Sequence, residues 1–487
     1  MSVDLRPYQT AALDEIRDAM RAGKRRVMLQ LPTGGGKTLT AAAMLVAALS
    51  KGSRSLFVAH RKELIDQTVS TFARLGELRL GVIRAGDRRR DPEAPIQIAS
   101  IQTLVRRSRP EARIVFIDEA HRAAAKSYLS LLEDYPEAFF VGLSATPCRS
   151  DGKPLTMFGH MVHGATYAQL IADGFIVAPD VYGTPILADL STVRTTAGDY
   201  NAADLEEAVN KRALIGNMVS EWTRRSGGRR TVVFAVSVAH SQAIVAQFAR
   251  EGVRAEHLDG TTPEIERSSI LARLASGETT VVSNVGVLCE GWDLPACKCL
   301  VLARPTKSLA LYMQMAGRIL RPWQGVTPVI LDHGGNVDRH GLPHEDREWS
   351  LTEKAKRDPR APPLRACPEC FAMVTAALRA CPHCGAEFPA AVSPEPPEPP
   401  EALSHVELAL RTIQGDDAQL AFFRALAAQA RERRWRPGAV NHRFREKFGA
   451  LPPLKWWNAL KRGFKADTEW AADVEAKAPP APPGAQW

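Results

Sequence analysis

From Val27 to about Ala303, short apolar runs of strand length alternate with amphipathic stretches of helical period. The runs are "VMLQL", "SLFVAH", "IQIAS", "IVFID" and "FFVGLSAT", then "TVVFAV", "TVVSN" and "CLVLA"; residues 39–52 and 241–252 are typical of the helical stretches. A strand covered on both faces needs an unbroken apolar run, and a crossover to a parallel neighbour needs a helix between them. The pattern therefore predicts an α/β protein with parallel sheets sandwiched by helices, in two series joined around residues 176–230. At 487 residues, with 45% hydrophobic and 24% charged, the chain is globular in composition and too long for one core. No apolar run approaches the roughly 18–20 residues of a membrane span. The start "MSVDLRPYQTAALDEIRDAM" is acidic and amphipathic, unlike a signal peptide. No membrane contact and a cytoplasmic location are expected.

The first series opens on "QLPTGGGKTLTAAAMLVAAL", a glycine-rich turn between a strand and a helix. Gly34, Gly35 and Gly36 let the backbone approach an anion, and their N–H groups with the helix N-terminus form a phosphate cradle. Lys37 is placed to neutralise β and γ phosphates, and the Thr38 hydroxyl to ligate Mg²⁺. The full GxxxxGK[ST] pattern wants glycine at position 31, where this chain has Leu31. Downstream, the run "IVFIDEAHRAAA" ends in Asp118 and Glu119. Adjacent carboxylates at the tip of a buried strand need a cation opposite. Mg²⁺ held by Asp118, with Lys37, meets that need, and leaves Glu119 to polarise an attacking water.

"TGGGKT" at 33–38, "DEAH" at 118–121, "SAT" at 144–146 and "QMAGRILR" at 314–321 stand in the order and spacing of superfamily 2 helicases of the DEAD/DEAH-box type. Over roughly residues 1–390 the chain most resembles RadD-type and prophage-encoded DNA helicases with a zinc ribbon. The resemblance implies two tandem RecA-like domains, at 1–178 and 179–350, which hydrolyse ATP between them. It implies that Arg6 and Gln9 of "LRPYQ" sit at the adenine, and that Thr33 belongs to the phosphate loop. His121, Ser144 and Thr146 would link nucleotide state to nucleic-acid contact. Arg61 of "VAHRKELIDQ", Ser100 and Gln102 of "SIQTL" and Thr261 of "LDGTTPEIER" would grip a strand. Gln314 would lie near the γ phosphate, with Arg318 and Arg321 as the arginine-finger pair. Gly291 and Asp293 of "SNVGVLCEGWDLP" would face the nucleotide, while Cys289 stands where related sequences often have threonine.

After "VILDHGGNVDRHGLPHED" the alternation stops. Cys367, Cys370, Cys381 and Cys384 form two C-x₂-C pairs ten residues apart, a spacing that suits Zn²⁺ in a small ribbon at 360–390. Cys148, Cys289, Cys297 and Cys299 read as ordinary buried thiols, His383 as a bystander, and His333, His340 and His344 as a loop network. An acidic, proline-rich linker (391–402), a basic helical module (403–470) and a disordered tail (471–487) complete the prediction. Residues 431–465 hold eleven Lys or Arg against two Glu, which alone equals the net charge of +9. A polyanion partner would draw on this segment. Its aromatics, Trp435, Phe444, Phe448, Trp456 and Trp457, either stack on bases or anchor the module's core.

The function expected is an ATP-dependent DNA helicase or translocase, in repair, recombination or phage replication. Single-stranded or branched DNA is favoured over plain duplex, RNA remains open, and repair or replication proteins are candidate partners. The competing readings are a duplex-translocating motor subunit of a restriction or repair complex, and an ATP-controlled nucleic-acid clamp.

Overall fold

A computed structural model describes residues 4–123, 126–149, 155–353, 355–358, 361–388, 417–432, 437–448, 451–454 and 456. Seven strands form a first, wholly parallel sheet: β1 (Arg26–Gln30), β2 (Ser55–Ala59), β3 (Leu80–Ile83), β4 (Ile96–Ser100), β5 (Ile114–Ile117), β6 (Phe139–Ser144) and β7 (His160–His163). Their spatial order is β3-β4-β2-β5-β6-β1-β7. After β8 (Asp180–Tyr182) and a small hairpin of β9 (Thr195–Thr196) and β10 (Asp199–Tyr200) come β11 (Thr231–Phe234), β12 (Ala255–Leu258), β13 (Val281–Asn284), β14 (Cys299–Leu302) and β15 (Val329–Asp332). They form a second parallel sheet in the order β12-β13-β11-β14-β15-β8. Both sheets lie within one compact unit, Met1–Phe388.

All eight apolar runs singled out in the sequence are strands of these sheets. Four of the remaining strands, β3, β7, β8 and β12, are the four sheet edges. An edge strand is covered less completely and so carries a weaker apolar signal. The helix Lys37–Leu49 buries Ala41, Ala42 and Leu45 on the first sheet, where Phe57 stacks on Phe116 at 6.4 Å. In the second domain Trp222, on the helix Arg212–Arg225, packs edge-on against Phe248 at 5.1 Å, and its Nε1 donates to Thr231 Oγ1 at 2.7 Å.

Two antiparallel hairpins follow: β16 (Arg347–Glu348) with β17 (Lys356–Arg357), and β18 (Leu364–Ala366) with β19 (Met373–Thr375). The segment after Cys370 covers edge strand β8. Tyr182 bridges Ala372, Gly183 N–H donates to Phe371 O at 2.8 Å, and the Tyr182 hydroxyl lies 3.3 Å from His383 Nδ1. Covering that edge removes a row of unpaired backbone groups.

Residues 389–487 form a second unit. Its helices Asp417–Glu432 and Pro437–Phe448 pack Phe423 and Leu426 against Phe444 and Trp456. Phe444 and Trp456 are 1% and 2% exposed, so these two rings anchor the core. Trp435, Trp457, the linker and the tail lie outside the described residues.

Trp222→Ala removes the largest buried ring of the second domain's outer layer and should cost about 3–5 kcal/mol. Trp222→Phe loses mainly the indole donor and should cost about 1 kcal/mol. Urea midpoints followed by hydrogen exchange over β11 to β15 check both values.

Candidate nucleotide-binding site

β1 runs buried from Val27 into Leu31, the chain turns through Pro32 to Gly36, and the helix Lys37–Leu49 begins. Gly34 and Gly36 have φ of +90° and +85°, a region costly for residues with a side chain. A Cβ on Gly36 would lie 2.3 Å from Gln9 Nε2, and one on Gly35 2.7 Å from Leu31 Cγ. Leu31 is thus the floor of the loop, wedged beneath Gly35, which accounts for an apolar residue where the full pattern has glycine. Gln9 Nε2 and the Tyr8 hydroxyl donate to Gly35 O at 3.0 and 2.9 Å, while Gln9 Oε1 accepts from Arg6 N–H. The Gln9 amide, expected to read a base edge, here braces the phosphate loop. The Arg6 guanidinium lies 3.7 Å over the Phe175 ring, and both line the cleft beside Thr33, Lys37 and Thr38.

Asp118 and Glu119 follow β5 and are 5% and 8% exposed. Glu119 sits in the left-handed region, φ +48°, and its N–H donates to Asp118 Oδ1. This sparsely populated conformation is the kind held in place at functional sites. Burial, and then the Glu119 charge, push the Asp118 carboxyl up, with Lys37 opposing. Burial pushes Glu119 up as well, but His121, by hydrogen bond and charge, holds it below the usual carboxylate range. Burial likewise pushes Lys37 down, against Glu119 and Asp118, and its Nζ donates to Leu31 O at 3.3 Å. Two neighbouring carboxyls driven apart in this way suit different tasks. His121 Nδ1 lies 3.3 Å from both Glu119 Oε2 and Ser144 Oγ, and Ser144 Oγ accepts from Thr146 N–H. His121, Ser144 and Thr146 therefore form one buried chain behind the carboxylates.

The second domain closes the cleft. A Cβ on Gly317 would be 2.8 Å from Thr33 Cβ, so the absence of a side chain at 317 is what lets the segment approach the loop. Gln314 Nε2 reaches 3.5 Å from Glu119 Oε2, Arg318 Nη1 donates to Trp292 O at 2.7 Å, and Arg321 is ion-paired with Asp293. Burial pushes the Arg318 guanidinium down, with Glu119 opposing. The cleft of about 540 Å³ is lined from one side by Lys37, Thr38, Asp118 and Glu119, and from the other by Gly291, Arg318 and Arg321.

Sequence reasoning passed over Glu290. Its carboxylate is wholly buried and takes His60 Nε2 at 2.7 Å, Arg61 Nε at 3.1 Å and Arg122 Nη2 at 2.7 Å, all from the first domain. Burial alone would raise it, but the His60 hydrogen bond and these charges hold it well below the carboxylate range. Its signal in the sequence is a single acid in the apolar run "VGVLCEGW". Arg61, expected on a strand, is thereby tied across the domain seam, and also donates to Gly286 O. Ser100 Oγ bonds Gln102 Oε1 and Gln102 Nε2 donates to His60 O, so these two sit beside Arg61. Thr261 stands apart, after β12, where its hydroxyl and N–H donate to Asp259 Oδ1 at 2.7 Å each.

The thiols of Cys367, Cys370, Cys381 and Cys384 lie within 4.8 Å of one another, with Cys367–Cys384 at 3.7 Å and Cys370–Cys381 at 3.5 Å. Tetrahedral Zn²⁺ with bonds of about 2.3 Å requires sulfur separations of about 3.8 Å, so the set fits that ion. Among the described residues this is the one cluster of metal-ligating type. His340 Nε2 instead bonds Thr306 O.

Residues 2–149 match the family described as Type III restriction enzyme, res subunit, and residues 210–322 the Helicase conserved C-terminal domain. The chain is 30% identical over 353 residues to a 51.5 kDa protein of a Lactococcus phage, covering 71% of this chain and 75% of that one. It is 31% identical over 339 residues to a Saccharomyces cerevisiae protein named as an ATP-dependent helicase, IRC3, covering 65% of this chain but 49% of that one. The DNA-bound restriction-modification enzyme LlaBIII has the same fold over 68% of this chain and 27% of its own, with a TM-score of 0.51 at 20% identity. Among the described residues no helix is long and apolar enough to cross a membrane. With these two family matches flanking one cleft, and a phage relative sharing most of its length, the chain belongs to the superfamily 2 helicases.

Proposed function

We propose that the chain is a DNA-stimulated ATPase that couples hydrolysis in this cleft to movement along DNA or its unwinding, in the cytoplasm. One observation carries the reading: Lys37, Asp118 and Glu119 face Arg318 and Gln314 across a single cleft between the two domains. Lys37 neutralises the β and γ phosphates, Glu119 polarises the attacking water, and Arg318 and Arg321 stabilise charge on the transferred phosphoryl. Thr38 and Asp118 would hold Mg²⁺, which would add charge neutralisation on the same phosphates. Gln314 reports domain closure to Glu119. Ser100, Gln102 and Thr261 contact phosphates of a single or branched strand without reading sequence, and Arg61 joins them when a phosphate replaces Glu290 as its partner. The four cysteines would hold Zn²⁺, which would stabilise a ribbon whose own core beyond the thiols is little more than Ala372, Val374 and Phe388. A second reading is favoured by the restriction-subunit family match: a motor that translocates duplex without separating it. Triplex displacement without strand separation distinguishes it.

ATP hydrolysis by wild type and Glu119→Gln, each with no nucleic acid, single-stranded DNA, duplex DNA and single-stranded RNA, tests the proposal. Wild type should be strongly stimulated by one DNA form, and the variant should lose about 10²–10⁴-fold in kcat. Equal rates with and without every nucleic acid would overturn the reading.

Gly317→Ala should hold the second domain off Thr33 and lower kcat by about 10²-fold, the loss that goes with a misplacement of roughly 1 Å. Binding of a fluorescent nucleotide to the phosphate loop should persist. Cys370→Ser, or chelation of zinc, should raise hydrogen exchange at Asp180–Tyr182 before the rest of the second sheet, because the ribbon covers that edge.

A further inference from the structure

The arginine pair projects from a turn, and what holds that turn is a buried lysine. After the helix Leu309–Ala316 the chain's own hydrogen bonds lengthen: Arg318 N–H to Met315 O is 3.3 Å and Ile319 N–H to Ala316 O is 3.4 Å. Beyond the end of a helix a buried carbonyl has no partner in the ladder and needs a donor from elsewhere in the fold. Here three successive carbonyls are held from outside. Leu320 O accepts from Val177 N–H at 2.8 Å. Ile319 O accepts from Lys298 Nζ at 3.1 Å, and Arg321 O accepts from the same ammonium.

Lys298 stands one residue before β14 and is 2% exposed. A buried ammonium is costly unless its donors are satisfied. No carboxylate among the described residues pairs with it. Its charge is therefore met by backbone carbonyls of the turn. Burial pushes the amine down only to about 8, which leaves it mainly protonated at neutral pH.

We propose that Lys298 is a positioning residue for ATP hydrolysis: by binding Ile319 O and Arg321 O it fixes the turn from which Arg318 and Arg321 reach the cleft. This rests on the role given above to the two arginines. The lysine touches neither nucleotide nor strand. It acts through the direction in which the guanidinium of Arg318 leaves the turn toward Trp292 O, and that of Arg321 toward Asp293. It lies between the motifs "SNVGVLCEGWDLP" and "QMAGRILR", and a lysine before an apolar strand reads from sequence as a solvated strand end.

The test compares full-length wild type with Lys298→Met, Lys298→Gln, Lys298→Arg and Arg318→Ala for DNA-stimulated hydrolysis, fluorescent-nucleotide binding and thermal unfolding. Lys298→Met should lower kcat by about 10- to 100-fold, as expected for catalytic groups misplaced by up to 1 Å. KM for ATP should stay within about threefold, because the phosphate loop is untouched. Lys298→Arg, which keeps the charge and several donors, should recover most of the rate. Lys298→Gln should fall between, and serves if the methionine variant does not fold. Wild-type kcat in folded Lys298→Met or Lys298→Gln, with Arg318→Ala inactive, would overturn the positioning role. A lower unfolding temperature with kcat retained would do the same, since that is a purely structural effect. Full activity in Arg318→Ala would instead overturn the arginine reading on which the proposal stands.

Discussion

One wholly buried carboxylate, Glu290, is met at the seam between the two domains by three basic side chains, and that pairing is the condition for everything else at the site. Glu290 has given up all contact with water and is matched by His60, Arg61 and Arg122 from the opposite domain. A buried carboxylate stripped of its partners is strongly destabilising, because its charge is left uncompensated away from water. The seam is therefore stable only when both domains contribute, and opening it requires solvent or another anion to replace what is withdrawn. Asp118, Glu119 and Lys37 follow the same rule within the first domain. Their charges balance only in part, since burial and a like-charged neighbour still raise Asp118. A divalent cation with its phosphates would relieve that imbalance.

Topology delivers these groups to one place. In open parallel sheets, ligands gather beyond the carboxyl ends of the strands. The phosphate loop follows β1, Asp118 follows β5, His60 and Arg61 follow β2, and Ser144 ends β6. In the second sheet Glu290 and Gly291 follow β13. The two glycines that face the opposite domain mark how tight the fit is: a Cβ on Gly291 would lie 2.7 Å from Glu63 Cβ, and one on Gly317 would meet Thr33. Both are places where only backbone fits.

What could be read from the chain follows from how each feature is encoded. The central strands announce themselves because burial on both faces demands an unbroken apolar run. The edges β3, β7, β8 and β12 do not, and β15 was hidden because "VILD" runs into a polar loop. The phosphate loop was legible because local geometry, three glycines before Lys37, is written in adjacent residues. The cysteine set was legible for the same reason, with pairs spaced to share one ion. Leu31 looked like a departure from pattern, and only the packing beneath Gly35 explains it. The aromatics of the C-terminal unit could not be divided between core and surface from spacing alone. Phe444 and Trp456 prove to be interior because two helices converge on them.

Glu290, Phe175 and Lys298 were not legible, and the reason is common to all three. Each acts through a partner far along the chain: Glu290 through residues about 170 to 230 positions away, Phe175 through Arg6, Lys298 through the turn at Ile319–Arg321. A motif records residues that must sit next to one another to do chemistry. It does not record the residue that receives a guanidinium from another domain, or the one that fixes a carbonyl. Such groups carry a different mark, a charge placed in an apolar segment with no neighbour to pair it. "LCEGW" and "ACKCLVLA" both bear that mark. Since an unpaired buried charge is not tolerated, each predicts a distant partner of opposite polarity, and in both cases the partner is part of the machinery around the cleft.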